Sequence, residues 1–351
     1  MANATLFWFN IIFISFGFCI CEFGEFNETV KWDTRKGTLL GCRYTVGDDY
    51  VYKFKQIPYA KPPVGNLRFR KSELADPWRG VLDATDYGPS CIQAFYPNDM
   101  RLIPNLNTTE DCLQLNIFVP RTLSKASSLP TMVWVHGGSL TNGQGTMFDG
   151  SMLALRGNVI LVTINYRLNV FGFFAAGDVK GNLGIYDQQL AFKWVSQNIP
   201  DYGGDPNSIT IFGESSGSDS VTLHSLIPSN LQLIHRVIAE SGSIVSKTHR
   251  VPKTENIRAT SFQIAKRLKC ITLTNEVDTS CMQNKPSQDV FQSYLNVAQA
   301  GMGLYVTADE ELVPANIMEK IDDPSSDVYR MLHSVDILAG VNSWRSRFNA
   351  L

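Results

Sequence analysis

The chain has 351 residues, 44% of them hydrophobic, which suits one large α/β domain with a sizeable core better than a string of small modules. Its formal net charge is −2 and no basic stripe runs along it, which excludes nucleic acid as a partner on electrostatic grounds. Nothing in it calls for a metal or an organic cofactor.

Leu6 to Ile20 is the one long apolar run; it has the length of a signal-peptide core and is short for a bilayer span. Small residues Cys19 and Cys21 stand two apart ahead of Glu22. Residues 1–21 are therefore expected to be a signal peptide, although no Lys or Arg precedes the run; the alternative is a buried N-terminal element. No later run could anchor the chain, so a secreted or lumenal protein without a transmembrane segment is expected. Beyond the leader stand Cys42, Cys91, Cys112, Cys270 and Cys281. In an oxidising compartment the short loops Cys91–Cys112 and Cys270–Cys281 can close as disulfides, leaving Cys42 free or awaiting a partner. Asn27-Glu28-Thr29 and Asn107-Thr108-Thr109 are glycosylation sequons, which predict surface positions for Asn27 and Asn107.

Tyr50 to Arg70 reads as strand material passing into Ile57-Pro58-Tyr59-Ala60-Lys61-Pro62-Pro63-Val64-Gly65. Its prolines fix φ and lack amide donors, which predicts a stiff connection at the edge of the fold. Asp111 to Val119 opens a strand. Thr131 to Val135 is a buried strand running into His136-Gly137-Gly138-Ser139, and Val159 to Tyr166 is a second apolar strand. Asp187 to Gln197 places Leu190, Ala191, Trp194 and Val195 at helical spacing. Ile209 to Phe212 is another strand, followed by Gly213-Glu214-Ser215-Ser216-Gly217 and a helix through Leu226 that stops near Pro228. Val237 to Ala239 and Asp336 to Val341 are further strands. This alternation predicts an α/β fold with a mostly parallel central sheet and helices on both faces.

A strand that breaks into G-x-S-x-G and enters a helix is the pattern of a nucleophile elbow, which makes Ser215 the candidate nucleophile. Acyl transfer at a serine needs an activated hydroxyl, an oriented base and amide donors for the oxyanion. The glycine loop at His136, about 80 residues before the elbow, supplies donors of the third kind; the amide of Ser216 would be another.

With these motifs stand Ile57 to Phe69 (IPYAKPPVGNLRF), Glu110 to Pro120 (EDCLQLNIFVP), Asn182 to Asp187 (NLGIYD) and Gly203 to Ser208 (GGDPNS). Together, in this order, they make the chain resemble a type-B carboxylesterase of the cholinesterase-like α/β-hydrolase group, from about Val30 to Ser343. The resemblance implies an α/β-hydrolase fold, Ser215 as nucleophile, an oxyanion hole from the amides of Gly138, Ser139 and Ser216, and the same two disulfides. Ser139 stands where a third glycine is usual, and Ser216 where alanine is; both would donate through the backbone. The first disulfide loop holds Phe95 and Tyr96 but no tryptophan, which favours a general carboxylesterase over a choline esterase.

In this fold the triad runs serine, acid, histidine along the chain. The resemblance places the acid just after a Gly-x-Asn-Ser segment, here Gly340-Val341-Asn342-Ser343, and the sequence then reads Trp344-Arg345-Ser346. The expectation is a hydrolase domain over 22–343 missing its C-terminal part, with 344–351 an unrelated tail. His224 and His235 read as core imidazoles, His249 and His333 as surface residues, His136 as part of the glycine loop, and Glu214 and Asp219 as local charge at a helix start. The leading expectation is thus a serine esterase for small-molecule carboxylic esters whose activity as given is doubtful. The alternative is a non-catalytic esterase-like adhesion or binding protein.

Overall fold

A computed structural model of the chain describes residues 24–94, 107–121, 128–244 and 254–342. The leader, Phe95 and Tyr96, His249 and the segment from Ser343 onward lie outside them.

The described chain begins as an antiparallel meander of β1 (Glu25–Thr34), β2 (Gly37–Val46) and β3 (Asp49–Pro58), with β4 (Val81–Asp83) lying parallel to β2. A separate parallel pair, β5 (Ser90–Cys91) and β6 (Thr108–Thr109), brackets the first disulfide loop. The sheet then continues through β7 (Gln114–Pro120), β8 (Leu129–Val135), β9 (Ile160–Ile164), β10 (Gly204–Glu214), β11 (Arg236–Glu240) and β12 (Asp336–Gly340). Its spatial order is β1-β2-β3-β7-β9-β8-β10-β11-β12. Every pairing from β1 to β9 along this path is antiparallel, and every pairing from β9 to β12 is parallel. The sheet is therefore mixed, and the parallel character belongs to the half that carries Ser215.

The strands next to the nucleophile are β-branched because both of their faces are covered. Val133, Val135, Ile160, Val162, Ile164, Ile209 and Ile211 point into the main core, packed with Ala191 and Trp194 of α3 (Leu183–Asn198) and with Val221 and Leu223 of α4 (Ser216–His224). Phe118, Trp134, Leu161 and Phe212 point the other way, against Ala154 and Leu155 of α1 (Ser151–Gly157), beside Cys42 and Tyr44. Helices thus cover both faces, as expected. The helix expected over Asp187–Gln197 extends four residues further back, to Leu183.

Between these lies α2 (Asn169–Phe173); beyond β11 come α5 (Thr254–Arg267), α6 (Thr279–Gln283), α7 (Ser287–Ala298), α8 (Ile317–Ile321) and α9 (Asp327–Leu332). β12 forms one edge of the sheet, with all of its residues exposed. Both disulfides, Cys91–Cys112 and Cys270–Cys281, are present, and Cys42 is a buried free cysteine. Asn27 and Asn107 are exposed.

One expectation holds only in part. Pro62, Val64 and Gly65 of the proline-rich loop are exposed, as a connection at the edge would be, but its start belongs to the core: Tyr59 is fully buried and donates its hydroxyl to the Asn165 carbonyl at 2.7 Å.

Candidate active site

β10 ends at Glu214 and α4 begins at Ser216, so one residue, Ser215, makes the whole change of direction. Its φ of 58° and ψ of −126° lie in a region that side chains avoid, and such strain persists only where the surroundings over-determine it. Two backbone bonds hold it: the Ser215 N–H donates to Glu240 on β11 at 3.0 Å, and its carbonyl accepts the Asp219 N–H at 3.0 Å. Glycines crowd the turn from each side. A Cβ on Gly213 would meet the backbone of Gly217 and Val135 at 2.6 Å, one on Gly217 would meet the Val135 oxygen at 2.2 Å, and one on Gly242 would meet the Ser215 oxygen at 2.4 Å. Larger residues would push Ser215 out of place.

The glycine loop leaves β8 directly beside this turn, because Val135 is the register partner of Gly213. A Cβ on Gly137 would lie 2.4 Å from the Glu214 oxygen and 3.2 Å from the Ser215 Cβ, so the loop rests against the nucleophile's own residue. Gly138, Ser139 and Leu140 follow with φ of 109°, 57° and 59°. The Gly138 carbonyl collects the N–H groups of Thr141 and Asn142 and the Thr141 hydroxyl. The Leu140 N–H donates to the buried Ser216 hydroxyl at 3.2 Å, and the Leu140 carbonyl accepts from the Asn169 N–H at 2.8 Å. Among the described residues, the amides of Gly138, Ser139 and Ser216 donate to no protein acceptor. Ser215 itself is half-buried and can be reached.

The profile of the Carboxylesterase family matches residues 28–350. The chain belongs to this family. It is 42% identical over 276 residues to mouse carboxylesterase 1F, covering 74% of this chain and 48% of that protein. It is 36% identical over 322 residues to mouse acylcarnitine hydrolase, covering 89% of this chain and 55% of the relative. Among solved structures, a thermophilic PNB esterase superposes with a TM-score of 0.76 at 33% identity, over 89% of this chain and 63% of that one. The chain thus spans about half the length of the curated relatives it matches.

Against this carboxylesterase frame the histidines can be placed one by one. His136 is buried, stacks on Tyr166 at 4.3 Å and turns Nδ1 to the Gly137 carbonyl at 2.9 Å. Burial pushes its imidazole down to about 4, against a smaller upward pull from that bond. His224 is fully buried at the end of α4; its Nδ1 accepts from Asn230 at 3.0 Å, which leaves Nε2 to donate to Gln188 at 3.0 Å. Burial holds it at about 3. His235 accepts the Ile209 N–H at 3.2 Å, and exposed His333 stacks on Tyr329. None of these four rings hydrogen-bonds Ser215. Asp219 lies in the first turn of α4, as the local-charge reading expects. Glu214 and Glu240 are register partners flanking Ser215, and burial, followed by the charge of Glu214, raises the Glu240 carboxyl.

Several supporting residues escaped the sequence reading. Gln93 exchanges two hydrogen bonds with Gly143 (2.8 and 2.9 Å) and donates to the Cys91 carbonyl, tying the first disulfide to the glycine loop. Asn169 reaches Ile92 while its backbone holds Leu140. Tyr166 donates to the His136 carbonyl at 2.7 Å. Apart from Gln93 and Cys91, the side-chain bonds link partners 30 to 77 positions apart in sequence, so no local pattern marks them.

Proposed function

We propose that this chain carries the nucleophile and oxyanion hole of a serine carboxylic ester hydrolase acting on small carboxylic esters. The observation that supports this best is the elbow itself: a half-buried serine at positive φ, packed on a glycine loop whose Gly138 and Ser139 amides have no protein acceptor among the described residues. In the proposed reaction the Ser215 hydroxyl oxygen attacks the ester carbonyl carbon and gives up its proton to a base. The carbonyl oxygen takes up the negative charge and accepts hydrogen bonds from the amides of Gly138, Ser139 and Ser216. The alcohol then leaves with a proton, and water releases the acid from the acyl-serine. Each amide donor to such an oxyanion is worth about 2.7–4 kcal/mol.

None of the described histidines is placed to take the Ser215 proton. Turnover by this chain alone is therefore proposed to be low: loss of a triad base costs about 10⁶ in turnover, with roughly 10³–10⁴ over water left to the oxyanion hole and binding. The two disulfides and the exposed sequons at Asn27 and Asn107 support a secretory route, with residues 1–21 as its signal peptide. Among the described residues, no helix is long and apolar enough to cross a membrane.

A fluorophosphonate probe tests the reading. Ser215 is expected to be labelled slowly, and Ser215→Ala to abolish the labelling. Well-folded protein that stays unlabelled at high probe concentration overturns the esterase reading and favours the non-catalytic binding one.

A further inference from the structure

We infer that the hydroxyl of Ser216 is a positioning group that sets the oxyanion loop, so that one residue serves the hole twice: through its backbone amide and through its side chain. This rests on the esterase reading above.

Ser139 and Leu140 are consecutive non-glycine residues with φ of 57° and 59°. A side chain in the left-handed region brings its Cβ too close to the carbonyl oxygen that follows, and two such residues in succession do not arise by default. Something outside the turn must hold them. The bonds that converge on the Gly138 carbonyl fix the start of the turn, and the buried Leu140 side chain anchors its end. The Ser139 N–H lies in the peptide whose carbonyl is Gly138's, and the next peptide, between Ser139 and Leu140, fixes Ser139 from its other side, so that both planes must be held for the residue to keep its φ. The Leu140 N–H has one acceptor, the Ser216 Oγ at 3.2 Å, in a buried setting. On the far side of Leu140 the carbonyl is held by the Asn169 N–H at 2.8 Å. The Ser216 hydroxyl thus bridges the loop after β8 to the first residue of the nucleophile's helix, across a sequence gap of 76 residues.

Ser216 is itself held from behind. Its carbonyl accepts the Ser220 hydroxyl at 2.9 Å, and Ser220 accepts from Gln188, whose other end meets buried His224. This buried chain fixes the first turn of α4, and the Ser216 hydroxyl carries that fixed position over to the glycine loop. Without the hydroxyl, the Leu140 N–H would be buried without an acceptor, and a turn already under strain would lose its tie to α4.

The consequence is a coupling between positions 139 and 216. Glycine at 139 removes the steric reason for the strain, so the hydroxyl at 216 should matter less in that background. The experiment uses the full chain, a fluorophosphonate probe and amide hydrogen exchange on protein labelled with ¹⁵N-leucine. Ser216→Ala is expected to speed exchange of the Leu140 amide about tenfold or more. It is also expected to slow Ser215 phosphonylation by about 10- to 100-fold through the maximal rate rather than through probe affinity, with about tenfold corresponding to 1.36 kcal/mol. Ser216→Thr, which keeps the hydroxyl, should recover most of that rate. Ser139→Gly combined with Ser216→Ala should lose clearly less than Ser216→Ala alone. An unchanged phosphonylation rate in Ser216→Ala overturns the positioning role, even where Leu140 exchange has quickened. Equal losses with and without Ser139→Gly overturn the coupling. Wild-type protein that is never labelled overturns the esterase reading, and with it the catalytic part of this inference; the Leu140 exchange then decides the hydrogen-bond tie by itself.

Discussion

The elbow makes a sharp demand at Gly217, and Gly217→Ala tests it. The added methyl would sit 2.2 Å from the Val135 oxygen and 2.9 Å from the carbonyl carbon and oxygen of His136, far inside ordinary contact distance. Those neighbours are backbone atoms, so no rotamer change can relieve the overlap; either α4 must lift off β8, or the end of β8 must move and take the glycine loop with it. Overpacking of this kind costs about 1–3 kcal/mol, and the rigidity of the partners puts this case near the upper value. An unfolding entropy of about 2.1 cal/mol/K per residue converts ~3 kcal/mol into a fall of about 4 °C in Tm for a chain of this length. The functional effect should be larger, because a displacement of about 1 Å between nucleophile and oxyanion donors can cost 10²-fold. Calorimetry and the rate of Ser215 phosphonylation read the two effects, and Gly340→Ala, whose Cβ would meet nothing within 4 Å, is the control. A Gly217→Ala protein that melts within about 1 °C of wild type and labels at the wild-type rate would refute the packing argument.

Two further predictions concern stability. Buried Asp187 accepts from the Arg167 backbone N–H, Nε and Nη2 (3.1, 2.8 and 2.8 Å) and from the Ser72 hydroxyl, so Asp187→Ala leaves a buried guanidinium without its counter-charge. It should cost about 3–5 kcal/mol in urea unfolding, while an apolar replacement of both partners should cost less; the opposite order would sink the reasoning. Acid should also weaken the fold before carboxylates titrate. Burial depresses His136 to about 4 and His224 to about 3 in the folded state, below the ordinary 6.5, so the unfolded chain binds the extra protons. Their contribution is complete above pH 6.5 and declines as pH falls toward those values, so the urea midpoint should drop between pH 7 and pH 5. A midpoint flat over that range counts against the buried neutral imidazoles.

The half of the fold that holds Ser215 is legible in the sequence because β8, β9 and β10 are buried on both faces and written as β-branched runs. In the antiparallel half β3 and β7 are legible as strands, but the burial of β3 is not, and Lys53 and Lys55 show why. Both are fully buried, which no periodicity would suggest; Lys53 pairs with Asp149 at 2.7 Å and lies 4.1 Å over the Tyr44 ring, and Lys55 lies 4.6 Å from Tyr87. Tertiary partners override the polar pattern there. The helix α7 is written at helical spacing, with Val290, Phe291, Tyr294 and Val297 on one buried face. At the site, the elbow and the glycine loop are local and readable. The Ser216–Leu140 tie depends on β8 and β10 being neighbours in the sheet, and the Gln93–Gly143 tie on the first disulfide loop lying against the glycine loop, neither of which sequence order states.

The seat of Ser215 is made almost wholly of backbone: two main-chain bonds, glycine contacts and three amides, none of which titrates in the range where proteins fold. The imidazoles around it act differently, since His136 and His224 are neutral supports whose protonation competes with folding only in acid. The pH dependence of stability and that of nucleophile reactivity therefore fall in separate windows. Above pH 7, where His136 and His224 are neutral in the folded chain, a rise in the Ser215 phosphonylation rate with pH reports the step that removes the serine proton, through solvent or through a base. A steady climb with hydroxide concentration would mark solvent as the proton acceptor, whereas a plateau at a pKa near 7 would mark a side-chain base, and with it a full hydrolytic site.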